Sequence, residues 1–149
     1  MATSRVGMWR SYFESSVLLQ RALDERLRAA SDLTLFEYNL LLLLSEAPDN
    51  QLRMGDLAHA MVFSSSRLSY QIGVLERRGL VCRKRDARDA RVIHACLTDA
   101  GRATFDASSR AHLMAVRELL LDDLSADEVS ALDTVFARLT SRLREPSPE

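Results

Sequence analysis

The pattern of apolar and polar positions is helical over most of the chain. Val6, Trp9, Phe13, Val17, Leu23 and Leu27 recur at three- and four-residue intervals, broken only by Gln20, while Arg10, Glu14, Arg21 and Asp24 fill the other faces. This predicts a long first helix. Thr34 followed by Glu37 is a capping-box pattern, and the apolar run that begins there stops at Ala47-Pro48-Asp49-Asn50, which predicts a short buried second helix. Arg53 to Ala60 reads as a brief third helix with Leu57 and Ala58 inward and Asp56 and His59 outward. Ser64 is placed to cap a fourth helix whose core stripe is Leu68, Ile72 and Leu75, and Gly79 to stop it.

The period then changes. Leu80 to Arg85 and Arg91 to Leu97 are β-compatible stretches joined by Asp86-Ala87-Arg88-Asp89-Ala90, a charged hairpin turn. Thr98 opens a long fifth helix with apolar Ala103, Leu113, Val116, Leu119 and Leu120. Ser125 and Glu128 form a second capping box ahead of a sixth helix through Val129, Leu132, Phe136, Leu139 and Leu143. The tail Pro146 to Glu149 is expected to fray. The expected fold is mainly α with a small β-hairpin wing, a winged helix-turn-helix over about 34–97 flanked by helices at 5–30 and 98–144, all in one domain spanning 1–149. The flanking helices carry apolar stripes longer than one small core can cover, which predicts a homodimer.

Composition excludes more than it identifies. With 149 residues, 47% hydrophobic and 28% charged, the chain is of ordinary domain size. The longest apolar run, Leu40 to Leu44, is too short to span a bilayer, and no basic stretch followed by an apolar segment opens the chain; a cytoplasmic location with no membrane association is expected. Cys82 and Cys96 lie outside metal-ligand spacings, so neither metal nor cofactor is expected. The three histidines have no evident carboxylate partner, Ser64-Ser65-Ser66 lies in no nucleophile elbow, and no phosphate-binding glycine loop occurs, which argues against an enzyme.

Charge changes the picture when it is read by segment. The net charge is −1, yet Arg67 to Arg91 holds eight basic residues against three acidic ones, leaving the remainder acidic. A basic stripe on an acidic body is what phosphate recognition requires. On a helical wheel the face opposite Leu68, Ile72 and Leu75 carries Ser66, Tyr70, Gly73 and Arg77, with Ser69 beside it. Such a face suits a major groove, because hydroxyls and a guanidinium reach base edges or phosphates and glycine permits close approach; an ordinary solvated helix face has the same composition. The short preceding helix, the tight Met61 to Ser64 connection and the following hairpin favour the groove, and an arginine at the hairpin tip, Arg88, fits a narrow minor groove. The expected DNA contacts are Ser65, Ser66, Arg67, Ser69, Tyr70, Gly73, Arg77, Arg85, Arg88 and Arg91. The competing reading is a winged-helix module that docks another protein without binding DNA.

Arg53-Met54-Gly55-Asp56-Leu57-Ala58, Leu68 to Val81, Asp86-Ala87-Arg88-Asp89-Ala90-Arg91 and Leu97-Thr98-Asp99-Ala100-Gly101 together resemble the MarR family of bacterial regulators, whose wing has the pattern DxRDxR followed by LTxxG. The resemblance in helix order covers nearly the whole chain. It implies a transcriptional regulator, commonly a repressor, that binds an inverted repeat in double-stranded DNA as a dimer interlocked through its first, fifth and sixth helices. It further implies that Arg88 probes the minor groove while Asp89 and Arg91 brace the wing, and that a small aromatic or phenolic effector controls binding. Trp9, Tyr12, Phe13, Phe36, Tyr38 and Phe63 are the candidate lining for that effector, with ordinary core or dimer packing as the alternative; His112 and Arg10 are candidate partners for an anionic one. If the hairpin turn is centred near Asp89, Cys82 and Cys96 face each other across the strands, making a redox pair conceivable.

Overall fold

A computed structural model describes residues 4–144. The tail from Pro146 to Glu149 lies outside them. The chain divides into two compact units, one running to Leu113 and the other starting at Met114.

In the first unit, helix α1 (Arg5–Ser31) opens on Ser4, whose hydroxyl accepts from the Gly7 N–H. Helix α1 closes where Asp32 adopts left-handed φ/ψ. Its two ends differ in environment. Leu23 and Leu27 are buried, whereas Val6, Trp9, Phe13 and Val17 are all more than half exposed. Helix α2 (Leu35–Glu46) starts with the expected reciprocal capping box between Thr34 and Glu37; such caps contribute about 1 kcal/mol each. Leu40, Leu41 and Leu44 place it at the centre of the core.

A turn at Pro48–Asn50 leads into a strand that the sequence pattern did not reveal, β1 (Gln51–Arg53). Helix α3 (Met54–Met61) follows, so Arg53 is its N-cap rather than its first residue. Helix α4 (Ser65–Arg77) is capped by Ser64 and buries Leu68, Ile72 and Leu75, as the wheel requires, and the left-handed Gly79 (φ 73°) turns the chain out of it. Strands β2 (Val81–Arg85) and β3 (Ile93–Leu97) are each shorter than expected. They pair antiparallel with Cys82 opposite Cys96, and β3 takes β1 on its other edge, giving a three-stranded sheet of order β1-β3-β2. The wing is therefore a hairpin anchored to the body by a third strand.

Thr98 begins helix α5 (Asp99–Val116) and explains the threonine and glycine that follow β3. Its hydroxyl donates to the Gly79 carbonyl and accepts from the Gly101 N–H. A Cβ on Gly101 would lie 2.0 Å from the Leu80 carbonyl oxygen, so only glycine lets α5 begin against the end of the α4 turn. The face of α5 that is buried carries Gly101, Phe105 and Ser108, not the expected Ala103 and Leu113, which are exposed. Phe105 packs on Tyr38, and His112 stacks on the same ring at 4.3 Å between centroids.

The second unit contains the end of α5, a π-helical turn at Arg117–Leu121 and helix α6 (Ala126–Arg144). Ser125 and Glu128 make the second capping box; the Ser125 N–H and hydroxyl hold the Glu128 carboxyl below its usual range. No residue of α6 is buried, and Val129, Leu132, Val135, Phe136 and Leu143 remain exposed.

Candidate nucleic-acid interface

Helix α4 presents a continuous polar face. Ser65, Ser66, Ser69, Tyr70 and Arg77 are exposed along it, and Tyr70 keeps 67% of its surface accessible. Gly73 sits in the middle of this face, and a Cβ added there would touch nothing nearer than the Arg77 Nη1 at 3.6 Å. None of the described residues requires a glycine at that position, although glycine weakens a helix interior.

Two arginines hold the helix in place through bonds to other parts of the protein. Arg83 of β2 donates to the Glu76 carboxylate at 2.7 Å and to the Ser69 carbonyl at 2.7 Å, bolting the wing to α4. Arg78 donates to the Asp32 carbonyl and lies 3.2 Å from the buried Glu37 carboxylate, tying the end of α4 to the α1–α2 junction. Arg67, also exposed, lays its guanidinium over the rings of Phe36 (4.9 Å) and Phe63 (4.2 Å) in a cation–π stack at the surface. Local charge counting cannot separate arginines engaged within the protein from unengaged ones.

The turn between α3 and α4 is strained. Val62, the C-cap of α3, takes left-handed φ/ψ (56°, 42°) and is 78% exposed. A β-branched residue is rarely found in that region.

The wing tip is organised by its own carboxylates. Asp86 Oδ1 accepts from the Arg88 and Asp89 N–H groups, which holds the Asp86 carboxyl below its usual range, with His94 and Arg53 adding smaller effects. Asp89 Oδ1 accepts from both the backbone and the Nε of Arg91. These bonds fix the loop while leaving the Arg88 side chain exposed and without an ion pair among the described residues. Arg85 is also exposed at the end of β2.

Between the start of α3, the start of α4 and the wing runs an open cleft of about 460 Å³, lined by Arg53, Arg83 and Arg91 together with Ser65 and Ser69. Arg53, exposed beside the first turn of α3, belongs to this surface but was not among the expected contacts; its position on β1 was the missing signal. The combined surface offers hydroxyl donors and acceptors on a helix, a projecting guanidinium on a hairpin, and cations in the cleft between them. That set can read base edges and clamp phosphates.

The six aromatic residues considered for an effector do not gather in one place. Trp9, Tyr12 and Phe13 form a cluster on α1, with Trp9 5.9 Å from each of the others. Phe36 and Phe63 pair at 5.0 Å, and a shallow depression of about 320 Å³ opens beside Phe36, Leu42 and Met61. Tyr38 is in the core, where burial, and secondarily Glu46, pushes its phenol up. His112 has a buried Nδ1 without a hydrogen-bond partner among the described residues, and burial lowers its pKa.

A family model described as MarR family matches residues 31–92, from the end of α1 to the wing. The chain is 34% identical to Sco3205 of Streptomyces coelicolor, a MarR family transcriptional regulator solved in complex with DNA. That match covers 94% of this chain and 87% of the other at a TM-score of 0.89. It is 33% identical to AbsC, a MarR family transcriptional regulator of the same organism, covering 95% and 96% of the two chains at a TM-score of 0.90. It is also 26% identical over 135 residues to the HTH-type transcriptional regulator YdgJ of Bacillus subtilis, covering 87% of this chain and 80% of that protein.

Proposed function

Because the chain belongs to the MarR family of transcriptional regulators, we propose that it is a sequence-specific DNA-binding repressor that grips an inverted repeat as a homodimer. The observation that carries this reading is the open polar face of α4 lying beside a wing whose tip backbone is fixed by Asp86 and whose Arg88 side chain is exposed and, among the described residues, without an ion pair. In this account α4 enters the major groove, where Ser65, Ser66, Ser69, Tyr70 and Arg77 meet bases and phosphates and Gly73 admits the backbone. Arg88 enters the adjoining minor groove, whose narrow, electronegative floor favours a guanidinium. Arg53, Arg85 and Arg91 neutralise phosphates at the rim. Arg78 and Arg83 position the helix, and Arg67, exposed while stacked on Phe36 and Phe63, adds a phosphate contact at its first turn.

The dimer reading is supported by apolar surface left open on α1 and α6, where Val6, Trp9, Phe13, Val129, Phe136 and Leu143 are all exposed in the single chain. The first, fifth and sixth helices supply the interface, and the segment from about 34 to 97 supplies the DNA-binding lobe. Two-fold symmetry then sets two copies of α4 about 34 Å apart, one helical turn of DNA. A small aromatic or phenolic ligand releases the complex by seating beside Phe36, where the surface is concave and apolar or against the Trp9 cluster. The protein acts in the cytoplasm; no helix among the described residues is long and apolar enough to cross a membrane.

Fluorescence anisotropy on labelled duplexes, with a salt titration, tests the DNA reading. The expected result is a strong preference for an inverted repeat and a linear fall of log K with log salt, the signature of counterion release from several phosphate contacts. Weak binding indifferent to sequence would instead favour a winged-helix module that docks a protein.

A further inference from the structure

The two cysteines of the chain stand directly opposite one another on β2 and β3, and the DNA-binding reading gives them no task. Opposed residues on antiparallel strands project to the same side of the sheet, so both sulfurs lie on one face, next to Gln51, whose side-chain oxygen accepts from the Cys96 thiol at 3.4 Å. Burial first, then the neighbouring Cys82, raises the Cys96 thiol, against a smaller opposing effect of Lys84. Both are free thiols; Cys96 is buried and Cys82 is partly open to solvent.

Ladder geometry determines what kind of bond they can make. Thr98 donates to the Leu80 carbonyl and Asp86 donates to the Val92 carbonyl, so the hydrogen-bonded pairs of this ladder are 80 with 98 and 86 with 92. Counting by two residues puts Cys82 and Cys96 in the same class. Residues in such pairs have Cα atoms about 5.5 Å apart, inside the range that a disulfide spans. Their Cβ atoms are roughly 1 Å farther apart than a relaxed disulfide prefers. A link there forms with strain, and strained disulfides are the ones that are readily reduced again.

We propose that Cys82 and Cys96 close into an intramolecular disulfide on exposure to a peroxide, and that the closed form binds operator DNA more weakly than the open form. The first half stands on the strand register alone; the second rests on the DNA-binding reading given above. In the reaction the Cys82 thiol gives its proton to solvent, the thiolate attacks a peroxide oxygen, the O–O bond breaks, and the departing hydroxide takes a proton back from solvent to leave as one water, with Cys82 left as a sulfenic acid. The Cys96 sulfur then attacks the Cys82 sulfur, the S–O bond breaks, and the hydroxyl leaves as a second water with the Cys96 proton. The cysteine pair loses two electrons and hydrogen peroxide gains them. Drawing β2 toward β3 at Cys82 displaces its neighbour Arg83, which holds Ser69 and Glu76 of α4, and so moves the recognition helix relative to the wing.

The test treats the full chain with hydrogen peroxide, then alkylates remaining thiols and measures intact mass and operator affinity, with the Cys82→Ser variant in parallel. The expected product has lost two hydrogens and takes up no alkyl group. Its affinity should be lower by about tenfold, the order of one specific base contact, and should recover on treatment with dithiothreitol, while Cys82→Ser keeps its affinity throughout. Two alkylated cysteines after peroxide, or a sulfinic acid on Cys82 without a link, would overturn the proposal. A linked product with unchanged affinity would overturn the switch. If the reduced protein itself shows no operator preference, the DNA-binding reading falls and the switch with it, while the mass measurement still decides the link.

Discussion

Replacing Gly73 with alanine should make the protein more stable and a poorer DNA binder at the same time. The residue is interior to α4, and the added methyl meets a single atom, the flexible Arg77 Nη1, at an ordinary contact distance of 3.6 Å. The folded state therefore suffers no clash. The unfolded chain loses the extra freedom of glycine, which is worth about 0.5–1 kcal/mol in a helix interior. For a chain of this size that corresponds to a rise in Tm of roughly 1–4 °C. On the DNA side, the methyl projects from the face proposed to enter the major groove, where an unaccommodated methyl costs on the order of 1–3 kcal/mol, as overpacking does in a core. Urea melts of Gly73→Ala beside the parent should show a higher midpoint with an unchanged slope, and anisotropy should show operator affinity reduced by about fivefold to a hundredfold. A lower midpoint would refute the packing argument. A higher midpoint with unaltered operator affinity would refute the claim that this face of α4 meets DNA.

Three further substitutions probe the frame. Val62→Gly should raise stability by about 1 kcal/mol through relief of the left-handed strain, since the valine side chain is largely exposed and its loss removes little packing; a lower urea midpoint would contradict this. Gly101→Ala should lower stability by at least 1–3 kcal/mol because its methyl overlaps the Leu80 backbone carbonyl, which has no flexible side chain to move aside; circular dichroism melts would detect the loss. Partial burial lowers the His112 pKa from its ordinary value of 6.5, so the folded state binds fewer protons than the unfolded state just below that pH. Stability should therefore fall as the pH drops below 6.5, and His112→Phe, which keeps a ring against Tyr38 and removes the unpartnered Nδ1, should flatten that fall. Equal acid sensitivity in both proteins would assign the effect to other groups.

Much of this architecture is written in local chemistry. The Thr34–Glu37 and Ser125–Glu128 capping boxes, the Ser64 cap, Gly79 and the Leu68–Ile72–Leu75 stripe are decided within a few residues, and each forms as its pattern requires. The opposition of Cys82 and Cys96 also followed from the turn position alone. What local pattern cannot carry is the choice of partner. Strand β1 has three residues, too few for an alternating signature, and exists because the outer edge of β3 was available. Helix α5 buries Phe105 in preference to Ala103 because Gly101 seats its first turn against Leu80. The arginines of the basic segment look alike in sequence; Glu76 and Glu37 engage Arg83 and Arg78 in ion pairs and the Phe36–Phe63 pair stacks under the exposed Arg67, while Arg88 and Arg77 stand at the surface. The aromatic residues are likewise sorted by burial, with Tyr38 taken into the core and Trp9 left outside it.

The most direct test of the central claim is a footprint of the purified protein on DNA flanking its own gene, run for the parent chain and for Arg88→Ala. The account predicts that the parent protects an inverted repeat with half-sites one helical turn apart, and that Arg88→Ala, equally stable in a melt, loses that protection because its exposed guanidinium supports DNA contact and not the fold. Protection by Arg88→Ala equal to the parent's would contradict the wing's role, and a parent that protects no repeat there, with no sequence preference across promoter fragments, would contradict the regulator reading itself.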